Sequence, residues 1–313
     1  MSLTIGVDVG GTKVAAGVVD EDGRVVAKLR RPTPSSDQGR TADTIAAVVT
    51  ELLSRHEIEA VGLGIAGLVD QARENIVFAP NLAWRDEPVK KAVEDRLGIP
   101  VVVENDANAT VWAETRFGAA REHTHVILLT IGTGIGTGIV LDGELYRGRW
   151  GFGGEAGHYR VVPEGRLCGC GNRGCWEQYA SGNALVAEAR DLARRSPSAA
   201  IRLLELAGGV PEGINGPEVT RAAAQGDPGA LRCFAVIGTW LGQGMADLAT
   251  ILDPGCFVIG GGVSEAGDLL LGHVRVAFEQ ALTGRGHRPL AAILPAVLGP
   301  DAGIVGAADL ARR

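Results

Sequence analysis

Residues 148–177, GRWGFGGEAGHYRVVPEGRLCGCGNRGCWE, crowd His158, Cys168, Cys170 and Cys175 beside Glu155 and Glu177. One imidazole and three thiols supply four ligands, the number that a closed tetrahedral zinc site uses. A disulfide is the competing use of these cysteines. Joining Cys168 to Cys170 would close a very small, strained ring and leave an odd thiol, whereas zinc takes all three. With four protein ligands no position is left for an activated water, so the expected ion is structural. It would fix where Glu155 and Glu177 point, and with one ring nitrogen of His158 on the metal the other could meet a hydroxyl.

Three glycine turns suggest a second chemistry: Asp8-Val9-Gly10-Gly11-Thr12-Lys13, Gly132-Thr133-Gly134 and Gly260-Gly261-Gly262. Glycine lets bare backbone N–H groups approach an anion closely, which is how phosphates are cradled without a cation for each oxygen. A P-loop is excluded, because Lys13 follows Thr12 and no G-x-x-x-x-G-K-[ST] occurs. The dinucleotide fingerprint fails on spacing, with hairpins in place of a strand-to-helix turn. Any one of these turns is compatible with a tight hairpin that merely needs glycine; three together favour phosphate. The segment Glu104-Asn105-Asp106-Ala107-Asn108-Ala109 follows a strand and opens a helix. Asn and Asp in that place are ordinary helix caps. The same place also projects Asn105 and Asp106 from a strand end into a cleft. An aspartate of ordinary pKa is ionised at neutral pH and can take the proton of a hydroxyl that attacks phosphorus.

Alternating strands and helices must position these residues. The pattern reads as strands over Leu3–Val9, Val14–Val19 and Arg24–Arg31, then a helix over Thr41–His56 with Ile45, Val48, Val49, Leu52 and Leu53 on one face. A strand over Ala60–Ile65, a helix over Asp86–Leu97, a strand over Val101–Val103 and a helix over Asn105–Phe117 follow. The plan then restarts: Val126–Ile131, the Gly132–Gly138 turn region and Ile139–Leu141 repeat the strand, Gly/Thr turn, strand and acidic turn of Ile5–Asp20. This internal repeat predicts two similar lobes. Later come a helix over Pro228–Leu252, a strand over Cys256–Ile259 and a final helix near Ala302–Arg312, with surface connections near residues 196–198 and 208–216.

Composition bounds the answer. The chain has 313 residues, 46% of them apolar and 21% charged, enough for two packed lobes. A net charge of −7 leaves no basic excess for phosphate backbones, so no nucleic-acid partner is expected. No apolar stretch of membrane-spanning length occurs, and the start MSLTIGVDVGGT lacks a signal peptide's basic and apolar regions, so no membrane partner is expected either. Five cysteines used this way suit a reducing, cytoplasmic setting. Cys233 and Cys256 lie in apolar runs and read as core, as do most of the five tryptophans. Trp176, between Cys175 and Glu177, stands apart from them. Arg30-Arg31 and Arg312-Arg313 read as solvated surface.

In chain order, D-x-G-G-T-K, E-N-D-A-N-A, L-T-I-G-T-G-I-G-T-G-I, G-E-x-G-H and C-x-C-G-x-x-G-C-x-E resemble the ROK family of repressors, open reading frames and sugar kinases over essentially the whole chain. The resemblance implies an α/β, two-lobed actin-like ATPase or sugar-kinase (ribonuclease H-like) fold with a small zinc-binding loop. The small lobe would span residues 1–109, completed by a helix over 301–313, and the large lobe 110–300. Among family members the chain is most similar to kinases that use ATP to phosphorylate glucose at its 6-hydroxyl, with Asp106 as general base. Residue by residue, the resemblance gives Asp8 to Mg²⁺ and its waters, Gly10, Gly11, Thr12 and Lys13 to a first phosphate loop, Thr133 and Gly134 to a second, and Gly261 and Gly262 to the adenosine end. Gly67, Asn105, Asp106, Glu155, His158 and Glu177 would bind the sugar, and His158, Cys168, Cys170 and Cys175 the structural zinc. Family members form dimers or tetramers, so a homodimer or homotetramer is expected.

Three other functions compete. A kinase for N-acetylmannosamine, N-acetylglucosamine or fructose would use the same residues. A non-catalytic, sugar-sensing repressor of the family would carry an N-terminal helix-turn-helix, for which a strand starting at Leu3 leaves no room. A glycoside hydrolase with Glu155 and Glu177 as its acid and base pair would leave three phosphate-type turns without a task.

Overall fold

The computed structural model describes residues 2–79 and 81–313. It opens with strands β1 (Thr4–Val9), β2 (Lys13–Val19) and β3 (Val25–Pro32), helix α1 (Gln38–Leu53), strands β4 (Val61–Ile65), β5 (Leu68–Val69), β6 (Ile76–Phe78) and β7 (Arg85–Glu87), helix α2 (Val89–Leu97), strand β8 (Val101–Asn105) and helix α3 (Asp106–Arg116). Strands β9 (Val126–Ile131), β10 (Ile135–Leu141) and β11 (Glu144–Leu145) follow, then helices α4 (Glu177–Ala180), α5 (Gly182–Arg195), α6 (Ile201–Leu206), α7 (Gly216–Ala224) and α8 (Pro228–Leu252). Strand β12 (Cys256–Gly260), helix α9 (Asp268–Ala281), strand β13 (Ala292–Pro295) and helix α10 (Ala302–Leu310) complete it.

One five-stranded sheet runs β3-β2-β1-β4-β8 and another β11-β10-β9-β12-β13. Numbered by their own chain order, both read 3-2-1-4-5, so the internal repeat seen in the sequence is a repeat of sheet topology. In the first, β2 is antiparallel to β1 and β3, while β1, β4 and β8 are parallel; in the second, β10 and β11 are antiparallel and β12 and β13 parallel. Residues 1–128, 137–154 and 296–313 form one compact unit, and residues 129–136 and 155–295 the other.

In the first unit, alternation along the strands sends Ile5, Val7, Val9, Val61, Leu63 and Ile65 to one face, into a core with Ile45, Val48, Val49 and Leu52 of α1. The other face is paved with glycine, and α10 lies directly on it. A Cβ on Gly6 would sit 1.8 Å from the Ile304 carbonyl oxygen, and one on Gly62 1.8 Å from that of Ala307. Helix α10 repeats the device against α3, where a Cβ on Gly306 would sit 1.7 Å from the Ala109 oxygen. Polar groups lock the same helix pair: Trp112 Nε1 donates to Asp309 Oδ2 at 2.8 Å. Glu114, fully buried, accepts from the backbone N–H groups of Val297, Leu298 and Ala119 at 3.0, 2.9 and 2.8 Å. In the second unit the long helix α8 packs on α9, with Phe234, Ile237, Leu241 and Met245 buried.

Most expected elements hold, with three corrections. The helix expected from Asp86 starts at Val89, because residues 85–87 form an edge of a small sheet, β5-β6-β7, and Asp86 has a left-handed backbone (φ 49°). Strand β10 begins at Ile135 rather than Ile139; its Gly138 serves close packing, since a Cβ there would meet the Ala107 oxygen at 2.5 Å. Arg312 is not solvated surface: its side chain is 14% exposed and donates to the Val19 and Asp20 carbonyls at 2.6 and 2.8 Å, closing the end of β2 onto α10. Cys233 and Cys256 are buried as expected, and burial pushes both thiols up to about 12.

Gly62→Ala forces a methyl into the α10 backbone and is expected to lower unfolding free energy by about 1–3 kcal/mol or more. Gly272→Ala, in α9 with no atom within 4 Å of the new methyl, is expected to be neutral or to stabilise by a few tenths to about 1 kcal/mol. Urea titration of both variants checks this; equal effects would mean that close packing of α10 is not the reason for glycine at position 62.

Candidate active site and metal centre

In the first unit, three parallel strands end side by side, and the candidate residues sit on those ends. The register aligns Asp8 with Gly64 and Gly64 with Glu104, then Val9 with Ile65 and Ile65 with Asn105. Beyond β1 the chain turns through Gly10–Thr12, with the Gly10 N–H donating to the Lys13 oxygen at 3.0 Å. A Cβ on Gly11 would lie 2.9 Å from the Asn81 oxygen, so this turn also packs closely. Asp8 lies 3.5 Å from Lys13 Nζ and faces the first turn of α10, where a Cβ on Gly303 would be 3.6 Å from its carboxyl. Burial raises the Asp8 pKa above the usual carboxylate range, and the charges of Lys13 and Lys28 only partly offset it.

The Asn105 side chain makes two hydrogen bonds. Its side-chain oxygen caps α3 by accepting from the Asn108 N–H at 3.0 Å, and its Nδ2 donates to the Gly67 carbonyl at 3.1 Å. Asp106, partly exposed, is the first residue of α3. Gly67, Asn105 and Asp106 therefore form one corner at the carboxyl ends of β4 and β8.

The second unit gathers the other candidates. The turn between β9 and β10 is closed by a Gly132 N–H bond to the Gly134 oxygen at 3.0 Å. The Gly132 carbonyl accepts from the Gly182 N–H at 2.8 Å, so the N-terminus of α5 abuts this turn. Beside it, Val263 N–H donates to the Ile131 oxygen at 3.0 Å, and Gly261 adopts φ +85° where a Cβ would lie 2.6 Å from the Ile131 backbone. The Thr133-Gly134 and Gly261-Gly262 turns thus converge, and Ser181-Gly182 joins them. Sequence reading missed Ser181-Gly182; a serine cap ahead of an apolar-periodic run was the available signal.

Glu177 opens α4, and its Oε2 would be 2.2 Å from a Cβ on Gly134, so only glycine there lets the carboxylate rest against the turn. Glu155 precedes a single 3₁₀ turn that carries His158, closed by the His158 N–H bond to the Glu155 oxygen at 3.0 Å. The four soft ligands come together as the sequence suggested. His158 Nδ1 is 3.6 Å from Cys168 Sγ, Cys170 Sγ is 3.6 Å from Cys175 Sγ, and all four donor atoms lie within 4.8 Å of one another. All five cysteines are free thiols. Zinc–sulfur bonds of about 2.3 Å imply a tetrahedral S···S edge of roughly 3.8 Å, so the cluster fits zinc in both donor type and spacing. With Nδ1 turned to the thiols, His158 Nε2 is on the opposite edge of the ring. Trp176 is the anchor of this loop: fully buried, its indole N–H donates to the Trp240 carbonyl in α8 at 2.9 Å, and its ring fills the space that a side chain on Gly244 would need.

Comparison with known proteins agrees with this geometry. The ROK family model matches residues 4–313. The chain is 50% identical to the glucokinase of Streptomyces coelicolor over 313 residues, all of this chain and 98% of that one. The crystal structure of a ROK family glucokinase from Streptomyces griseus, in complex with glucose and AMPPNP, superposes with a TM-score of 0.90 at 53% identity, covering 99% of each chain. The xylose repressor of Bacillus subtilis is 28% identical over 98% of this chain but only 76% of its own length. The chain belongs to the ROK family.

Proposed function

We propose that the protein is a glucokinase, transferring the γ-phosphoryl group of ATP to the 6-hydroxyl of glucose. The observation that carries the reading is the pairing of phosphate-type turns at strand ends with an Asn105-Asp106 corner, in a chain 53% identical to a glucokinase crystallised with glucose and AMPPNP. Asp106 takes the proton of the 6-hydroxyl as its oxygen attacks phosphorus, while Asn105 and the Gly67 backbone orient the sugar. Glu155, His158 and Glu177 are the further sugar ligands of this reading. Gly10, Gly11, Thr12 and Lys13 hold phosphate oxygens, as do Thr133 and Gly134, and Gly261 and Gly262 receive the adenosine end. A Mg²⁺ ion, when bound, would neutralise phosphate charge near Asp8. Phosphoryl transfer asks mainly for positioning and charge stabilisation, which suits sites built on rigid strand ends.

The zinc reading follows from the donor set. His158, Cys168, Cys170 and Cys175 would close the ion's coordination, so its task is to hold the loop that carries His158 and Glu177. Plasma emission spectrometry is expected to find about one zinc per chain. Cys170→Ser should lose most of that metal and weaken glucose binding measured by calorimetry, while AMPPNP binding stays within about twofold. Metal loss with unchanged glucose affinity would separate the loop from the sugar site.

Asp106→Asn is expected to lower kcat by about 10²–10⁴-fold, the usual worth of a general base, with glucose still bound. A near-wild-type kcat would place the base elsewhere. Asp8 makes a pH prediction. Because its folded pKa is raised, its contribution to stability is fully present below the ordinary carboxylate value and is lost as pH rises through the folded value. Asp8→Asn should therefore melt no lower than the unsubstituted chain at pH 7, with the advantage closing toward pH 4, while activity falls. A lower Tm at pH 7 would mean that the Lys13 pair outweighs burial.

A further inference from the structure

Glu104 sits one residue before Asn105 and is 1% exposed. A carboxylate in that position costs several kcal/mol unless its oxygens are paired. Both are. Oε1 accepts from the Asn105 backbone N–H at 2.9 Å and from Asn108 Nδ2 at 3.0 Å. Oε2 makes no hydrogen bond but lies at ion-pair distance from two guanidinium groups, with Arg147 Nε at 2.8 Å and Arg73 Nε at 3.1 Å.

The two arginines do not come from the same place. Arg73 belongs to the turn between β5 and β6 and reaches Glu104 from a left-handed backbone (φ 59°), a conformation that is unfavourable for a residue other than glycine. Arg147 follows β11, is 11% exposed, and uses both terminal nitrogens on that same turn, donating to the Gln71 and Asp70 carbonyls at 2.9 and 2.8 Å. The turn is closed internally by Asp70, whose carboxylate accepts from the Glu74 and Asn75 backbones and from the Asn75 side chain. Its other strand, β5, begins next to Gly67, the residue whose carbonyl receives Asn105 Nδ2.

The network is thus a ring. It leaves the Asn105 backbone through Glu104, crosses Arg147 to the β5–β6 turn, returns along β5 to Gly67, and closes on the Asn105 side chain. Asn105 is held at its backbone by the Glu104 carboxylate and at its amide by the Gly67 carbonyl, the two ends of this network. A single guanidinium would neutralise Glu104; the second, held in an unfavourable backbone, ties down the segment that leads to Gly67.

We propose that Glu104 and Arg147 are positioning residues for the sugar site, setting the Gly67–Asn105–Asp106 corner for the glucose hydroxyls without touching the substrate. This rests on the glucokinase reading and extends it to residues with no direct part in the chemistry. An acid or a base at these positions would otherwise serve only to hold the fold. The two roles differ in what they do to the two substrates. A positioning role acts on the sugar corner and leaves the phosphate turns alone, whereas a structural role lowers the amount of active protein and moves both substrates together.

The test is steady-state kinetics with Mg-ATP and glucose, beside thermal unfolding, on Glu104→Gln and Arg147→Lys. Gln keeps the size and an acceptor but removes the charge; Lys keeps the charge but loses the fork that spans Glu104 and the turn. In both variants kcat/KM for glucose is expected to fall at least tenfold, with KM for ATP within about twofold and a single cooperative melt. Calorimetric glucose affinity should fall in parallel. If Glu104→Gln does not fold, the double variant Glu104→Gln/Arg147→Met removes one charge of each sign and is expected to fold with the same selective loss. Wild-type glucose kinetics in a folded variant, or equal changes for glucose and ATP, would overturn the proposal. Absence of glucose-dependent ADP release from the unsubstituted chain would instead strike the glucokinase reading itself.

Discussion

The first unit depends on how closely its last helix lies on its sheet. The carbonyl oxygens of Ile304 and Ala307 occupy the space that Cβ atoms on Gly6 and Gly62 would need. That contact requires a face of β1 and β4 without side chains, which in turn sends their branched aliphatic residues to the α1 side, where they form the core. At the carboxyl ends of the same strands the glycine face gives way to Asp8 and the Gly64–Glu104 row. Asp8 is thus placed by packing: where α10 starts, at Ala302 and Gly303, its carboxyl is held against the helix. A close-packed interior transmits displacements rather than absorbing them, so the glycines far from any reacting atom fix the site as firmly as its own side chains do.

Buried charge supplies the second layer of order. Glu104 and Glu114 flank Asp106, one just ahead of α3 and one near its end, and both are almost wholly buried. Each is held differently: Glu104 by ion pairs with two arginines and hydrogen bonds from two N–H donors, Glu114 by three backbone N–H groups. Unpaired, either would be strongly destabilising. Paired, they fix both ends of the helix that presents Asp106, one to β8 and the β5–β6 turn, the other to the segment entering α10. The metal-ligand cluster plays the matching part in the second unit, where Trp176 binds the loop to α8 and Gly134 admits the Glu177 carboxylate.

Much of this was legible in the sequence, for physical reasons that can be named. The strands and helices of the repeat follow from hydrophobic period, and strand order 3-2-1-4-5 in both sheets confirms the repeated plan. The His158, Cys168, Cys170 and Cys175 cluster followed from ligand type and spacing. Asn105 reads as a cap and also as a functional residue; the cap is there in its bond from Asn108, and the same side chain also reaches the Gly67 carbonyl. What stayed hidden was long-range. Nothing local tells that Arg147 and Arg73 converge on Glu104, or that Arg312 closes onto β2, because each pairing joins residues far apart in the chain. The β5-β6-β7 sheet was missed because strands of two or three residues are too short to show a period. Nothing local marks glycines 6, 62 and 306 as contact positions, because the backbone each admits belongs to a distant element.

The central claim is that this site phosphorylates glucose. The most direct measurement is ADP release with Mg-ATP, compared across glucose, mannose, fructose, N-acetylglucosamine and N-acetylmannosamine, with phosphorus NMR locating the new ester. Turnover highest with glucose, and phosphate on the 6-oxygen, is the result the account predicts. Sugar binding without ADP release from any of the five would contradict it and leave a sugar-binding protein without kinase activity.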